Sequence, residues 1–467
     1  MQTKRDQLQA YTFVVGRVKA AVLRANPDGA SIPFRRSTSS TIVGVLVTLL
    51  VSGISLVIGL LFPGSNTSWR QGTDVVLAEE SGARYVLLQG VLHPVLNYTS
   101  AKLVLGKDAG VVSVSAASLE GAPRGVPIGI PGAPDAIPEP DQLLTGAPMS
   151  CSRPAVGGDR PRLLVAAGID VPVRPTDAAV LVRGPEGDEH VVWQGQRFRV
   201  ADRSVPQAMG LTGRAREVPQ FWLNTLLPRA DLRPPEIPGL GERSVAVPGL
   251  GALRVGQVVA VDGVDGERRF LVALSDGLAP VTQFAAALIV GDPRASETGS
   301  TAAMRTVSAS TVAALPQAEL AGVPGSWPLA VPPVDGAVDE DVLCTVLPSG
   351  SAADDPPDLL AAPADELAAV VGPLPADRDL ILMRPGAGLL AQASAVPGAT
   401  SGALYFVSDL GVRHAIPSAQ AADALGLSPA LAVGVSAELL AGIPEGPALD
   451  PVAALTPQPV EPPRGSS

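Results

Sequence analysis

The sequence predicts an α+β protein: a single N-terminal transmembrane helix followed by an elongated extracytoplasmic region of four hairpin–helix repeats around a central mixed β domain. Three observations carry that expectation. The stretch from Thr41 to Phe62 holds no charged residue. Four later segments share one pattern of apolar runs and glycines. The two cysteines, Cys151 and Cys344, fall between the first and second and between the third and fourth of those segments.

A helix over residues 41–62 is about 33 Å long, enough for a hydrocarbon core of about 30 Å, and it satisfies its own backbone polar groups. A cleaved signal peptide has a shorter apolar region with a small-residue cleavage site behind it. Here Pro63-Gly64-Ser65-Asn66 follows the run, so an uncleaved anchor is expected. Residues 1–40 carry Lys4, Arg5, Arg17, Lys19, Arg24, Arg35 and Arg36 against Asp6 and Asp28, in a chain whose net charge is −11. Basic flanks stay on the cytoplasmic side, which puts the N-terminus inside and the bulk of the chain in the extracytoplasmic space. Within the anchor, Gly44, Thr48, Ser52, Ser55 and Gly59, with Thr41 ahead of them, make one helical stripe. Small and hydroxylated residues let a second helix approach closely and receive hydrogen bonds, so the stripe is a candidate packing face.

Ahead of the anchor, residues 3–25 read as an amphipathic helix with Leu8, Tyr11, Val15, Val18 and Val22 on one face. Thr3 with Asp6 is its capping pair, and Asn26-Pro27 ends it. Such a helix can lie on anionic lipid or dock on a cytosolic partner.

Beyond the anchor the four segments run from Tyr85 to Gly106, Val191 to Gly210, Phe270 to Gly291 and Tyr405 to Gly426. Each reads as a strand, a turn at Gly90, Gly195, Gly277 or Gly411 permitting positive φ, and a short helix closed by glycine. Earlier strands at Val75–Ala78, Val180–Arg183 and Val258–Val261 complete a hairpin in at least three copies. The uneven spacing of the copies argues against a regular solenoid, so a central domain is expected between them, built from non-adjacent segments. The division that follows is 1–40, cytoplasmic helix and linker; 41–62, anchor; 63–120, repeat 1; 121–165, connector and first part of the central domain; 166–215, repeat 2; 245–295, repeat 3; 296–375, the rest of the central domain; 376–435, repeat 4; and 436–467, a Pro-rich mobile tail. Gly121–Pro140 reads as a stiff connector and Asp354–Pro375 as an acidic surface loop. Copies one and four, alike in Tyr85-Val86 and Tyr405-Phe406, are expected to lie together near the membrane, with copies two and three distal.

Chemistry is sparse. No G-x-x-x-x-G-K-[ST] occurs, and the one Gly-Lys pair, Gly106-Lys107, is followed by Asp108, so the backbone cradle and magnesium hydroxyl of a P-loop are missing. The three histidines, His93, His190 and His414, form no metal-ligand spacing. His93 and His414 each follow their turn glycine by three residues, where copies two and three carry Phe198 and Pro280; this reads as a half-buried structural position. No cofactor, metal or catalytic residue is expected, and the acidic outer part argues against nucleic acid. An oxidising compartment permits a Cys151–Cys344 disulfide, and two unpaired buried thiols are the alternative.

The basic start TKRDQLQAY, the single anchor, the segment YVLLQGVLHPVLNYTSAKLVLG, the four repeats and the one cysteine pair together resemble the EccB family, membrane components of the actinobacterial type VII (ESX) secretion system. The resemblance spans essentially the whole chain and is weakest in the tail. It implies a cytosolic N-terminal helix, four outer repeats around a central domain, and a disulfide there. It also implies assembly with EccC, EccD and EccE in a multimeric complex, with EccC as the motor ATPase. Family members are sometimes labelled ATPases, which these residues do not support. Three functions from different classes compete: a structural and assembly subunit of the secretion complex, a membrane-tethered module binding cell-wall peptidoglycan, and a stand-alone ATPase.

Overall fold

The computed structural model describes residues 4–24, 35–61, 67–153, 160–211, 213, 215–248, 251–263, 266–300, 304–335, 341–348, 355–373, 375, 378–394 and 402–459. The expected cap at Thr3, the stop at Asn26-Pro27 and the Pro63–Asn66 flank lie outside them. Helix α1 spans Lys4–Arg24 and helix α2 spans Arg35–Leu61, with Ser40–Val57 long and apolar enough to cross a bilayer.

The first copy contains strands β1 (Val75–Ala78), β2 (Arg84–Leu88) and β3 (Val91–Pro94), helix α3 (Tyr98–Leu105) and strand β4 (Val111–Val114). Their order in the sheet is β3-β2-β1-β4, with β4 parallel to β1. Strands β5 (Met149–Arg153), β6 (Arg162–Ala167) and β7 (Arg174–Pro175) then enter the central sheet. The second copy has β8 (Val180–Arg183), β9 (Glu189–Trp193), β10 (Gln196–Val200), α4 (Ser204–Ala208), β11 (Arg216–Glu217), α5 (Gln220–Leu223) and β12 (Leu227–Leu232), ordered β11-β8-β9-β10-β12. A two-stranded ribbon of β13 (Arg243–Val247) and β14 (Gly251–Arg254) precedes the third copy. That copy has β15 (Val258–Asp262), β16 (Arg268–Ala273), β17 (Leu278–Val281), α6 (Gln283–Val290), α7 (Pro293–Glu297), β18 (Arg305–Val307) and α8 (Ala309–Ala313), ordered β17-β16-β15-β18. After β19 (Val342–Val346), β20 (Asp358–Ala362), α9 (Ala364–Val371) and β21 (Leu380–Met383), the fourth copy has β22 (Gly388–Ser394), β23 (Leu404–Ser408), β24 (Arg413–Ile416), α10 (Ala419–Ala424) and β25 (Val433–Ser436), ordered β24-β23-β22-β25. Helices α11 (Ala437–Ala441) and α12 (Pro451–Ala454) close the chain.

All four sheets therefore carry one topology: a three-strand meander, a helix, and a fourth strand parallel to the first. In copies one and two the meander turns on Gln89-Gly90 and Gln194-Gly195, each with positive φ at both residues. A two-residue hairpin of that kind matches strand twist and demands glycine at its second position. Gly277 differs from the expectation: it is not in the left-handed region, and a side chain there would run into the Pro316 carbonyl. In copies one, three and four the helix starts on a side-chain cap at an equivalent place: Asn97 accepts from Ser100 N–H, Thr282 from Ala285 N–H, and Ser418 from Ala421 N–H.

The six-stranded central sheet runs β21-β6-β5-β19-β20-β7. It draws Arg162–Ala167, Arg174–Pro175 and Leu380–Met383 from stretches that the sequence division gave partly to repeats 2 and 4. Asp358–Ala362, expected in a surface loop, is an almost wholly buried strand of this sheet, because its Leu359, Leu360 and Ala361 extend the hydrophobic face of β19. The sheet shares one core with copy two, through Val180, Val192 and Trp222, and with copy four, through Leu389, Val407 and Leu439.

Two further expectations are corrected. Residues 121–140 are no free connector: they return along the open edge of β3, where Leu92 N–H donates to Pro123 C=O at 2.8 Å and Gly125 N–H to Leu92 C=O at 2.9 Å. Residues 436–459 are no mobile tail, since Leu449 and Ala454 are fully buried. Both stretches are rich in proline, yet they hold enough apolar residues to pack once a strand edge is available.

Candidate functional site

The anchor presents its stripe openly. Gly44, Thr48, Ser52 and Ser55 are exposed, and nothing lies within 4 Å of where a Gly44 side chain would be. Thr48 Oγ1 donates to the Gly44 carbonyl at 2.8 Å, so that hydroxyl is satisfied within its own helix. Gly59 lies in the last turns of α2, where only the helical backbone is described. On α1, Leu8, Tyr11, Val18 and Val22 are exposed, the apolar face expected from their spacing.

Cys151 and Cys344 stand directly opposite each other on the antiparallel strands β5 and β19, with Cα atoms 3.9 Å apart, and are joined as a disulfide. Both are fully buried. The bond crosses 193 residues of chain, tying the two halves of the central sheet from inside. In the chain-entropy account, closing a loop of that size disfavours the unfolded state by roughly 5 kcal/mol.

The two related histidines have one structural role, met twice. His93 Nδ1 lies 3.0 Å from the Val126 carbonyl oxygen, and His414 Nδ1 lies 2.9 Å from that of Pro447. In both cases the partner is 33 residues further along. The preceding glycines, Gly125 and Gly446, lie so close to the rings that any side chain there would overlap the imidazole. Burial pushes the His414 pKa below its ordinary value, opposed by the hydrogen bond to Pro447. Each ring thus pins a returning segment that runs parallel to the third strand of its copy. The same return occurs in copy three, where Ala318 N–H donates to Leu278 C=O at 2.9 Å, and in copy two as strand β12 beside β10. The repeat is therefore a four-strand unit with a fifth, returning strand. Sequence reasoning missed that strand; the equal spacing from His93 to Gly125 and from His414 to Gly446 is the signal that could have found it.

The copies pack in pairs. Helices α3 and α10 meet across copies one and four, with Leu103, Ile416, Ala421 and Leu425 in one cluster and Lys107 Nζ 2.8 Å from Asp423 Oδ1. Helices α4 and α6 meet across copies two and three, with Phe198, Val205, Phe284 and Leu288 in another. After its return along β24, the C-terminal segment continues to copy one: α12 packs on α3, and Gln458 donates to the carbonyls of Pro127 (2.8 Å) and Gly129 (2.9 Å). Among the described residues no group of three or more His, Cys, Asp or Glu side chains is arranged to hold a metal ion.

Among the described residues one helix is long and apolar enough to cross a membrane, and a disulfide-tied body of duplicated β units follows it, the outline of a membrane-complex component. The chain belongs to the EccB family of type VII secretion: the family model described as "Type VII secretion system ESX-1, transport TM domain B" matches residues 1–461. It is 31% identical to the "ESX-3 secretion system ATPase EccB3" of Mycolicibacterium smegmatis, over 95% of this chain and 89% of that one. It is 28% identical to the "ESX-2 secretion system ATPase EccB2" of Mycobacterium tuberculosis, over 97% of this chain and 94% of that one. Its fold is similar to a solved EccB3 dimer from the ESX-3 core complex, with a TM-score of 0.65 at 28% identity over 82% of this chain and 100% of that one. It also resembles a chain of an intact ESX-5 inner membrane complex, with a TM-score of 0.63 at 22% identity over 100% and 98%.

Proposed function

We propose that this chain is a structural and assembly subunit of a type VII secretion membrane complex, anchored by α2 with its N-terminus cytoplasmic and its body extracytoplasmic. The observation that carries the reading is the body itself: four copies of one β unit, packed in two pairs around a disulfide-tied sheet, in a chain of this family. Such a body offers broad surfaces to neighbours and needs no reaction centre. The elongated shape, the membrane-proximal position of copies one and four, and partnership with EccC-, EccD- and EccE-type subunits belong to the same proposal. The solved EccB3 dimer supports self-association of this chain as well. ATP hydrolysis, named for the curated relatives, is assigned to a partner motor, because this sequence lacks the P-loop's lysine and hydroxyl spacing.

Solubilising the membrane in mild detergent and identifying what co-elutes by mass spectrometry tests the role; recovery of this chain with no other secretion subunit overturns it. The stripe is tested in the same assay. Gly44→Leu with Ser52→Leu is expected to release the partners, while Val47→Leu with Val57→Leu, off the stripe, leaves them bound. Equal loss from both pairs removes the stripe as a packing face.

A further inference from the structure

We propose that the cleft beside the Gly184–Gly187 turn of the second copy binds the carboxylate of a peptide, with Arg197 as its anchor. The cleft has a volume of about 220 Å³, with Asp188, His190, Arg197, Arg199, Gln220 and Asp231 among its walls. Its arginines are unequally served. Arg199 is bonded to Asp231 Oδ2 at 2.7 and 3.2 Å. Arg197 is half-buried and donates to the neutral Asn224 Oδ1 at 2.8 Å, and among the described residues no carboxylate oxygen lies within 4.0 Å of it. That amide oxygen is also shared with Gln220 at 2.8 Å, and the Asn224 amide donates to Glu438 at 3.3 Å; the Glu438 charge attracts Arg197 from beyond contact distance, with Asn224 between them.

Removing a guanidinium from water without a counter-ion is costly, and folded proteins normally pair such groups. A half-buried arginine that lines a cleft and has no carboxylate in contact with it offers its guanidinium to an anion as a direct partner. Desolvation by burial holds the Arg197 pKa below its ordinary value and outweighs the attraction of Glu438. The planar fork suits a carboxylate, which takes two parallel hydrogen bonds.

The remaining walls narrow the ligand. Glu186 and Asp188 also line the cleft, and their charge disfavours a phosphate dianion while offering acceptors to peptide N–H groups. His190 adds no compensating cation: burial, then the Arg197 charge, lower its pKa. The volume falls below the roughly 300–1,000 Å³ of sites for drug-sized ligands, which fits a chain end or one acidic side chain and not a nucleotide. This binding does not rest on the secretion reading.

The test is calorimetric titration of the full-length protein in detergent with three probes: trialanine, trialanine amide, and acetyl-Ala-Glu-Ala-amide. Saturable binding of a carboxylate probe is expected, at least about tenfold tighter than the amide that lacks any carboxylate, the loss typical of one charge-assisted hydrogen-bonded pair. Trialanine the tighter of the two identifies a chain end, and the glutamyl probe the tighter identifies a side chain. Arg197→Gln is expected to abolish binding and Arg197→Lys to weaken it, while Arg268→Gln, on copy three, leaves it unchanged. Should Arg197→Gln fail to fold, the comparison of probes on the unaltered protein decides alone. No saturable binding of either carboxylate probe, equal binding of the amide, or displacement by inorganic phosphate as effective as by peptide overturns the proposal.

Discussion

Copies one and four have the same strand order as copies two and three, yet the two pairs are joined differently. Copies two and three share a core rich in large side chains, Phe198 of copy two, Phe284 of copy three and Trp327 of the segment that follows copy three: Phe284 lies edge-on to Trp327 at 5.9 Å between ring centroids, and a side chain at Gly291 would run into Ala208. Copies one and four meet through smaller apolar residues, an exposed ion pair, and a backbone clasp in which the C-terminal segment bonds first to β24 and then to residues 127–129. Dispersion and burial scale with contact area, so the joint with large aromatics loses more when one side chain is truncated. A third element is laid across both pairs: after its return along β17, the segment that follows copy three reaches copy two, where Trp327 Nε1 donates to the Asp231 carbonyl at 3.1 Å and Ala179 N–H to Pro333 C=O at 2.8 Å, as the C-terminal segment reaches copy one. The same topology and the same kind of returning segment thus yield two joints that differ in the aromatic volume they bury.

The largest effect is expected at the first joint. Phe284→Ala is expected to destabilise the protein by about 3–5 kcal/mol, as deletion of a buried aromatic does. Hydrogen exchange should rise in α4 and α6 while α3 and α10 stay protected. Equal deprotection of both pairs would erase the distinction.

Next comes the clasp. Leu449→Ala, at a fully buried position in the core shared by copies one and four, is expected to cost about 2–5 kcal/mol. Exchange should rise in α3 and residues 123–128, leaving α4 and α6 untouched. An unchanged denaturation midpoint would mean that the C-terminal segment holds nothing.

A smaller, pH-dependent effect separates the joints further. His414 is buried and neutral-favouring, so its folded pKa lies below 6.5. The unfolded state then binds more protons at acid pH, and stability is full above about 6.5 and falls as pH drops below it. The slope is at most about 1.4 kcal/mol per pH unit. Because His190 shifts in the same direction, the measurement is a difference: unfolding of the native chain against His414→Gln between pH 7.5 and 5.5. A flatter profile in the variant is expected, and parallel profiles would exclude His414 as the titrating group.

The smallest effect belongs to Lys107 and Asp423. Their side chains are 50% and 72% exposed, where ion pairs are screened and contribute little. Lys107→Ala is expected to leave the unfolding midpoint unchanged; a clear drop would make this ion pair, and not the clasp, the fastener of copies one and four.

The local elements were legible because their signals are local. The uncharged run 41–62 overlaps α2, and the apolar stretches Val75–Ala78, Val180–Arg183 and Val258–Val261 are the strands β1, β8 and most of β15. Turn glycines marked three of the meanders because positive φ has a cost that only glycine escapes. Gly277 misled for the same reason: glycine is also used for close approach, which leaves an identical mark in the sequence.

What the sequence by itself determined was the long apolar helix, the first strands and most turns of the β meanders, and the positions of the two cysteines, because hydropathy, turn chemistry and residue identity act within a few residues. The tertiary structure alone decided the fourth and fifth strands of each copy, the buried strand Asp358–Ala362, the pairing of copies, the ordered C-terminal segment and the neutral hydrogen-bond partner of Arg197. Each of these depends on a partner far away in the chain. A short, proline-rich or acidic segment becomes a strand only when an open sheet edge supplies its hydrogen bonds, and an arginine meets an amide in place of a carboxylate only through what the fold brings into contact with it.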